Sequence, residues 1–222
     1  MPSLQATPVY AREQMVAQQL RAWDVLDDSI LNLFRQLPRE GFVPAGWRDT
    51  AYADLEVPLA HGQHMLAPKL VGRIVQAVGV QAGERVLEVG TGSGFLTACL
   101  TLRGGVVESL ELHAELAAGA RAALAAAQVH GAKITHADVY TLLDTLPHYD
   151  VVVLTGSLPQ YDPRFEALLN PGGRLFAVVG QGAVMQARLV SRTGAGSCVT
   201  QTLFETVIDA LANAPRPEPF HF

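Results

Sequence analysis

The stretch ERVLEVGTGSGFLTACL, residues 84–100, constrains this chain more than any other. A short apolar run, Arg85–Val89, leads into three glycines at alternate positions, Gly90, Gly92 and Gly94. A helical segment, Ser93–Leu102, follows. Glycine lets a backbone turn sharply and approach another molecule closely. Alone the pattern is weak, because a tight turn between strand and helix needs no ligand. Its surroundings give it weight.

From Gln81 onward, short apolar runs alternate with helical ones. Arg85–Val89, Val106–Glu111, Lys133–His136, Tyr149–Leu154 and Leu175–Val179 read as strands. Tyr149–Leu154 is nearly all apolar, as a strand buried on both faces should be. Ser93–Leu102, Ala114–Gln128 and Pro163–Leu169 read as helices, and Asn170–Gly173 as a turn. Ala187–Ser191 and Val199–Val207, joined by the Gly-rich turn Thr193–Ser197, read as a terminal antiparallel hairpin. The alternation predicts an α/β fold: a Rossmann-like, doubly wound, mostly parallel sheet of seven strands.

Residues 1–80 read as a helical and loop extension covering the site, packed into one compact unit with the core of 81–222. Val9, Val16, Leu20 and Trp23 mark one amphipathic helix. Asp28 can cap a second, with Ile30, Leu31, Phe34 and Leu37 inside. Pro38, Gly41, Pro44 and Gly46 then break the pattern, and Tyr52–Gln63 reads as an extended loop. Pro68 opens a third helix, with Leu70, Val71, Ile74, Val75 and Val78 apolar. Of the 222 residues, 49% are hydrophobic and 17% charged, so the chain can bury such a core. The tail PRPEPFHF is expected along the surface.

Ligands in open α/β sheets bind at the carboxyl ends of the strands, near the switch in strand order. A dinucleotide loop, G-x-G-x-x-G, would put its third glycine at Phe95, whereas here it falls at Gly94. Glu88 precedes the first glycine by two, where a carboxylate can meet the amino group of a methionine moiety. Dinucleotides carry no such ammonium. Glu111 follows Gly90 by 21 residues, the separation of a carboxylate that accepts from ribose hydroxyls. It also reads as an exposed charge at a strand end. Asp138 can reach an adenine amino group, or simply cap the turn from Val139 onward. The expected cofactor is S-adenosylmethionine, with S-adenosylhomocysteine as its spent form. The expected contacts are Glu88, Val89, Gly90, Thr91, Gly92, Ser93, Gly94, Glu111, Leu112, Asp138, Val139 and Thr155. A nicotinamide oxidoreductase is disfavoured by Gly94 and by the lack of a Tyr-x-x-x-Lys pattern.

Several partners are disfavoured as well. The net charge is -5 and Lys+Arg number only 16, whereas a nucleic-acid enzyme usually shows a basic face. The opening MPSLQATPVYAREQ has no basic region followed by an apolar run, and no 18-residue apolar stretch exists. Neither a secretory leader nor a membrane span is expected. Cys99 and Cys198 form no metal spacing and no disulfide framework, which fits a reducing cytoplasm. His113, His130, His136 and His148 are scattered, and His61 and His64 show no carboxylate or cysteine partner, so no metal is expected. Trp23, Trp47, Tyr52 and Phe42 are expected to pack in core and lid.

From Met15 to about Gln186 the chain resembles class I methyltransferases and, more closely, the protein-L-isoaspartate O-methyltransferases. MVAQQLRAWDVLDDSIL resembles that family's opening helix, VLEVGTGSGF its donor loop, and YDVVVLTGS and LNPGGRLFAVVG its fourth and fifth strands. These later motifs are widely shared. The series LPREGFVP, AYAD and VPLAHGQ is much more specific.

The resemblance implies methyl transfer to the α-carboxylate of an L-isoaspartyl residue in damaged protein. The ester then cyclises and partly reopens as normal aspartyl. A carboxylate, with an ordinary pKa of about 4, is already a nucleophile and needs no general base. Sulfonium and carboxylate lose their charges together, so a dry pocket and in-line positioning supply the rate. The implied partner is a protein or peptide, and the chain itself is expected as a monomer or homodimer.

One segment departs from the family. There the chain runs from Gly-Gln through Thr-Ile-Ser to a proline two residues on. Here it reads Gly62-Gln63-His64-Met65-Leu66-Ala67-Pro68. Leu66 stands in the serine's place and cannot hydrogen-bond a carboxylate. His64 stands in the threonine's place, either as a substitute donor or as an ordinary loop histidine. His64 and Leu66 are therefore the acceptor-pocket candidates, and no catalytic residue is assigned. An isoaspartyl enzyme, the same fold on another acceptor, and a donor-binding protein without catalysis all remain open.

Overall fold

The computed structural model describes residues 7–194 and 196–216. Its N-terminal part holds three helices: α1 (Pro8–Gln14), α2 (Asp28–Gln36) and α3 (Pro68–Val78). The chain runs on from α1 through a wide π turn, Met15–Leu20, and a tight turn, Arg21–Trp23. A π turn rotates the face that follows it. Met15, Val16 and Leu20 are buried as a result, while Val9 and Trp23, expected on the inner face, stand 66% and 37% exposed. Asp27, rather than Asp28, caps α2 by accepting from the Ser29 N–H at 2.8 Å. Ile30, Leu31, Phe34 and Leu37 are buried as the periodicity requires, and Pro68 opens α3.

The expected loop Tyr52–Gln63 contains a short strand, β1 (Val57–Pro58), paired antiparallel with β2 (His64–Met65). A tight turn, Ala60–Gly62, joins them, with His61 left-handed at φ 60. This extension is seated on helix α4 (Phe95–Leu102). Phe34 and Phe42 meet the Phe95 ring edge-on, at 5.7 and 5.4 Å between centroids. Each such pair adds about 1 kcal/mol beyond the area it buries.

The core strands are β3 (Arg85–Val89), β4 (Val106–Glu111), β5 (Lys133–His136), β6 (Tyr149–Leu154), β7 (Leu169–Gln181), β8 (Val184–Arg192) and β9 (Cys198–Glu205). Helix α5 (Ala114–Ala126) lies between β4 and β5, and the short α6 (Arg164–Ala167) between β6 and β7. The sheet order is β5-β4-β3-β6-β7-β8-β9. Pairing is parallel from β5 to β7 and antiparallel from β7 to β9, as expected. β3 lies between β4 and β6, so strand order reverses at its carboxyl end. Val89 stands level with both Leu110 and Leu154. Gly90, Glu111 and Thr155 therefore emerge along one edge.

Two departures from the sequence reading matter. The expected turn Asn170–Gly173 is an excursion inside β7 rather than its start. Tyr149 pairs with Leu169 and Val151 with Arg174, so the four residues 170–173 stand opposite Asp150. Asn170 donates to the Asp150 carboxylate across this gap at 2.8 Å. After β9 the chain turns back over the end of β6. Ser157 N–H donates to the Asp209 carbonyl and Leu211 N–H to the Ser157 carbonyl, both at 2.8 Å. Gly156 permits this crossing, because a Cβ there would lie 2.8 Å from the Leu211 backbone. Ala195 in the hairpin turn and residues 217–222 of the tail lie outside the described residues. Among the described residues no helix is long and apolar enough to cross a membrane.

Candidate functional site

A cleft with about 990 Å³ of empty space, its open mouth included, runs over the carboxyl ends of β3, β4 and β6. Its floor is the glycine loop. Gly90 has φ +93, and Thr155 sits directly across from it. The Thr155 hydroxyl donates to the Val89 and Gly90 carbonyls at 2.9 and 2.7 Å. Glu111 ties the loop to the end of β4. Its carboxylate accepts from Gly92 N–H at 2.8 Å and His113 N–H at 3.0 Å. It is 4% exposed, so it is no free strand-end charge. Each of its oxygens keeps capacity for a further donor.

Glu88 lies below this loop, fully buried. One oxygen accepts from the Thr97 and Ser109 hydroxyls at 2.5 and 2.7 Å. The other, Oε1, has no partner among the described residues, although Glu88 lines the cleft. Burial pushes this carboxyl up to about 7; the two hydroxyls pull it back, and the nearby Glu111 carboxylate adds to the rise. An unpaired acceptor in such a place is costly unless a ligand supplies the donor. The ammonium of a methionine moiety fits it.

Asp138 is a turn cap that also faces the cleft. It caps the turn Val139–Thr141 by accepting from Tyr140 N–H at 2.9 Å, and it lines the cleft. Its second oxygen accepts from the Asn213 amide at 2.7 Å. Val89, Thr91, Gly92, Ser93, Leu112, Val139 and Thr155 also line the cleft. Gly94 does not. Its φ of +83, with a Cβ position 3.1 Å from the Ala120 Cβ, serves close packing of α4 on α5 instead.

Glu56, Gln63, His64, Leu66 and Asp209 form a further group of lining residues, from the extension and the segment after β9. His64 Nδ1 is 2.7 Å from the Asp209 carboxylate. The Glu56 carboxyl is raised by burial and by Asp209, and His64 offsets part of this. The Leu66 carbonyl accepts from the Arg39 guanidinium at 2.8 Å. Arg39 is itself fully buried, holds the Ala51 carbonyl at 2.8 Å, and lies 5.0 Å over the Phe95 ring. Burial without a carboxylate pulls it down to about 10.

The sequence reading found no carboxylate for either loop histidine, and the structure corrects this. Asp209 pairs with His64, and Glu115 lies 3.3 Å from His61 Nε2. His61 also stacks on His113 at 4.3 Å. Asp209 gave no signal, being 145 positions from His64 and in no motif. Glu56 gave a weak one, since it lies between the AYAD and VPLAHGQ segments. Of the aromatics expected in core and lid, Phe42 and Tyr52 are buried, while Trp23 and Trp47 are 37% and 38% exposed.

The profile of the protein-L-isoaspartate(D-aspartate) O-methyltransferase family matches residues 11–213. The chain is 42% identical over 127 residues to protein-L-isoaspartate O-methyltransferase 1 of Rhodopseudomonas palustris, covering 57% of this chain and 52% of that one. It is 34% identical over 169 residues to protein-L-isoaspartate O-methyltransferase of Opitutus terrae, covering 76% and 72%. The chain spans about half the length of the first of these relatives. Its fold is similar to that of a Plasmodium falciparum structure solved in complex with S-adenosyl-L-homocysteine. The TM-score is 0.77 at 19% identity, over 90% of this chain and 97% of the other. A solved protein-L-isoaspartate O-methyltransferase gives 0.72 at 23% identity, over 90% and 65%.

Proposed function

The chain belongs to the protein-L-isoaspartate(D-aspartate) O-methyltransferase family, and on that footing we propose that it methylates the α-carboxylate of L-isoaspartyl residues in damaged protein, with S-adenosylmethionine as donor. The observation that carries the donor is the unpaired Oε1 of buried Glu88 beneath the glycine loop. Glu88 takes the donor's ammonium, Glu111 its ribose hydroxyls, and Asp138 its adenine amino group. Bound there, the donor supplies a sulfonium methyl group; transfer to a carboxylate oxygen breaks the carbon–sulfur bond, leaves its electron pair on sulfur and moves no proton.

In this reading residues 81–222 hold the donor, and residues 1–80 cover the acceptor end. The chain's own work is positional. Leu66 keeps water from the reacting atoms, and the Thr155 hydroxyl fixes the loop that sets the donor's depth. The free cysteines, Cys99 buried and Cys198 half-buried, support a reducing, cytoplasmic setting.

The test uses labelled donor with an isoaspartyl peptide and its aspartyl twin, beside calorimetry of donor binding. Methylation of the isoaspartyl peptide alone is expected. Indifference to the two peptides with intact donor binding would exclude the repair reaction. It would favour a second reading, the same fold on another acceptor, to which Leu66 and the two carboxylates Glu56 and Asp209 also point.

A further inference from the structure

A carboxylate acceptor must be met by hydrogen-bond donors, and the Leu66 side chain offers it none. The side chains grouped with it in the cleft narrow the choice. Glu56 and Asp209 are acceptors when ionised. The Gln63 amide reaches the His61 carbonyl at 3.3 Å. His64 remains. Its Nδ1 meets Asp209 at 2.7 Å, while Nε2 makes no hydrogen bond among the described residues. Asp209 is a fixed partner rather than a chance contact, because its carbonyl is bonded to Ser157 N–H at the end of β6.

We infer that His64, oriented by Asp209, is the positioning residue that holds the acceptor carboxylate through Nε2–H, in the place a hydroxyl would fill at position 66. The inference rests on the isoaspartyl reading. In the imidazolium form both ring nitrogens donate, so Nδ1–H serves Asp209 and Nε2–H serves the acceptor. A bond from a charged donor to a carboxylate is about twice as strong as a neutral one. Asp209 balances the ring's charge, so the pair adds no net charge of its own. Transfer turns the acceptor into a neutral ester, the charge-assisted contact lapses, and the product is released. His64 keeps its proton throughout. The new oxygen–methyl bond replaces the sulfur–methyl bond, and nothing else changes hands. The titratable groups that face His64 are Asp209, from the segment after β9, and Glu56, from the segment before β1.

The experiment measures kcat and KM for methylation of an isoaspartyl peptide by labelled S-adenosylmethionine, with donor affinity followed by calorimetry. His64→Leu is expected to raise the peptide KM about tenfold or more with donor affinity unchanged, the effect of losing a charge-assisted bond. His64→Gln, whose amide still donates, recovers part of that loss. The loss in both variants falls on the peptide KM and not on kcat. A His64→Leu peptide KM within about twofold of wild type, or a loss carried by kcat alone, overturns the inference and leaves the isoaspartyl reading standing. A wild-type protein that binds donor and never methylates the peptide overturns both.

Discussion

Gly90 and Thr155 meet so closely that position 90 admits no side chain: a Cβ there would lie 2.2 Å from the Thr155 hydroxyl oxygen. The same hydroxyl holds the Val89 and Gly90 carbonyls. The loop floor is thus fixed by a contact between the ends of two parallel strands. Gly90→Ala adds both a clash and an unfavourable φ, and is expected to destabilise the fold by about 2–4 kcal/mol. Donor affinity should fall at least about tenfold. Urea unfolding and donor calorimetry check the two effects; unchanged affinity would mean that the donor does not rest on this loop.

Donor binding at Glu88 is expected to be a protonic event. Its carboxyl is raised from 4.5 to about 7 in the folded protein. A raised pKa contributes stability below about 4.5 that is lost as pH rises through about 7, on the order of 3 kcal/mol. Glu88→Gln should flatten that part of the stability profile. An arriving ammonium favours the ionised form, so binding near pH 7 should release about half a proton. Calorimetry in buffers of differing ionisation enthalpy reads this number directly. No release, or release that persists in Glu88→Gln, would separate Glu88 from the ammonium.

Leu66→Ser restores a hydroxyl beside the acceptor. One added hydrogen bond predicts a rise in isoaspartyl turnover of about fivefold to tenfold. The lost apolar packing should cost about 1–2 kcal/mol of stability. A fall in turnover would show that position 66 does not face the acceptor.

Arg39 links the loop at Ala51 to the backbone at Leu66. Arg39→Met leaves two buried carbonyls unpaired but also removes a buried charge. The balance predicts a loss of about 2 kcal/mol, read from the denaturant midpoint. Donor affinity should survive, because the glycine loop is untouched, while the peptide KM rises. Loss of donor affinity instead would mean that Arg39 supports the whole cleft.

The parallel core was legible in the sequence. β3, β4, β5 and β6 have the expected bounds; β6 is the plainest, because a strand buried on both faces announces itself by composition. The glycine loop with Glu88 and Glu111 was legible through spacing alone. Other features were not. The π turn at Met15–Leu20 follows from packing against α3, and no local pattern marks it. Gly94 carries the pattern of a ligand contact yet answers to Ala120 on the neighbouring helix. The His64–Asp209 pair depends on how far the chain after β9 travels before it bonds to Ser157, which is a property of the finished sheet.

That crossing makes the two sides of the cleft depend on different stretches of the chain. The glycine loop, Glu88, Glu111 and Thr155 all lie on or beside strands that precede the hairpin. Asp209 reaches the cleft because residues 206–211 are laid across Gly156. The cleft is thus walled from two distant stretches: the glycine loop and its carboxylates come from residues 88–155, and the Asp209 side from the segment that crosses Gly156.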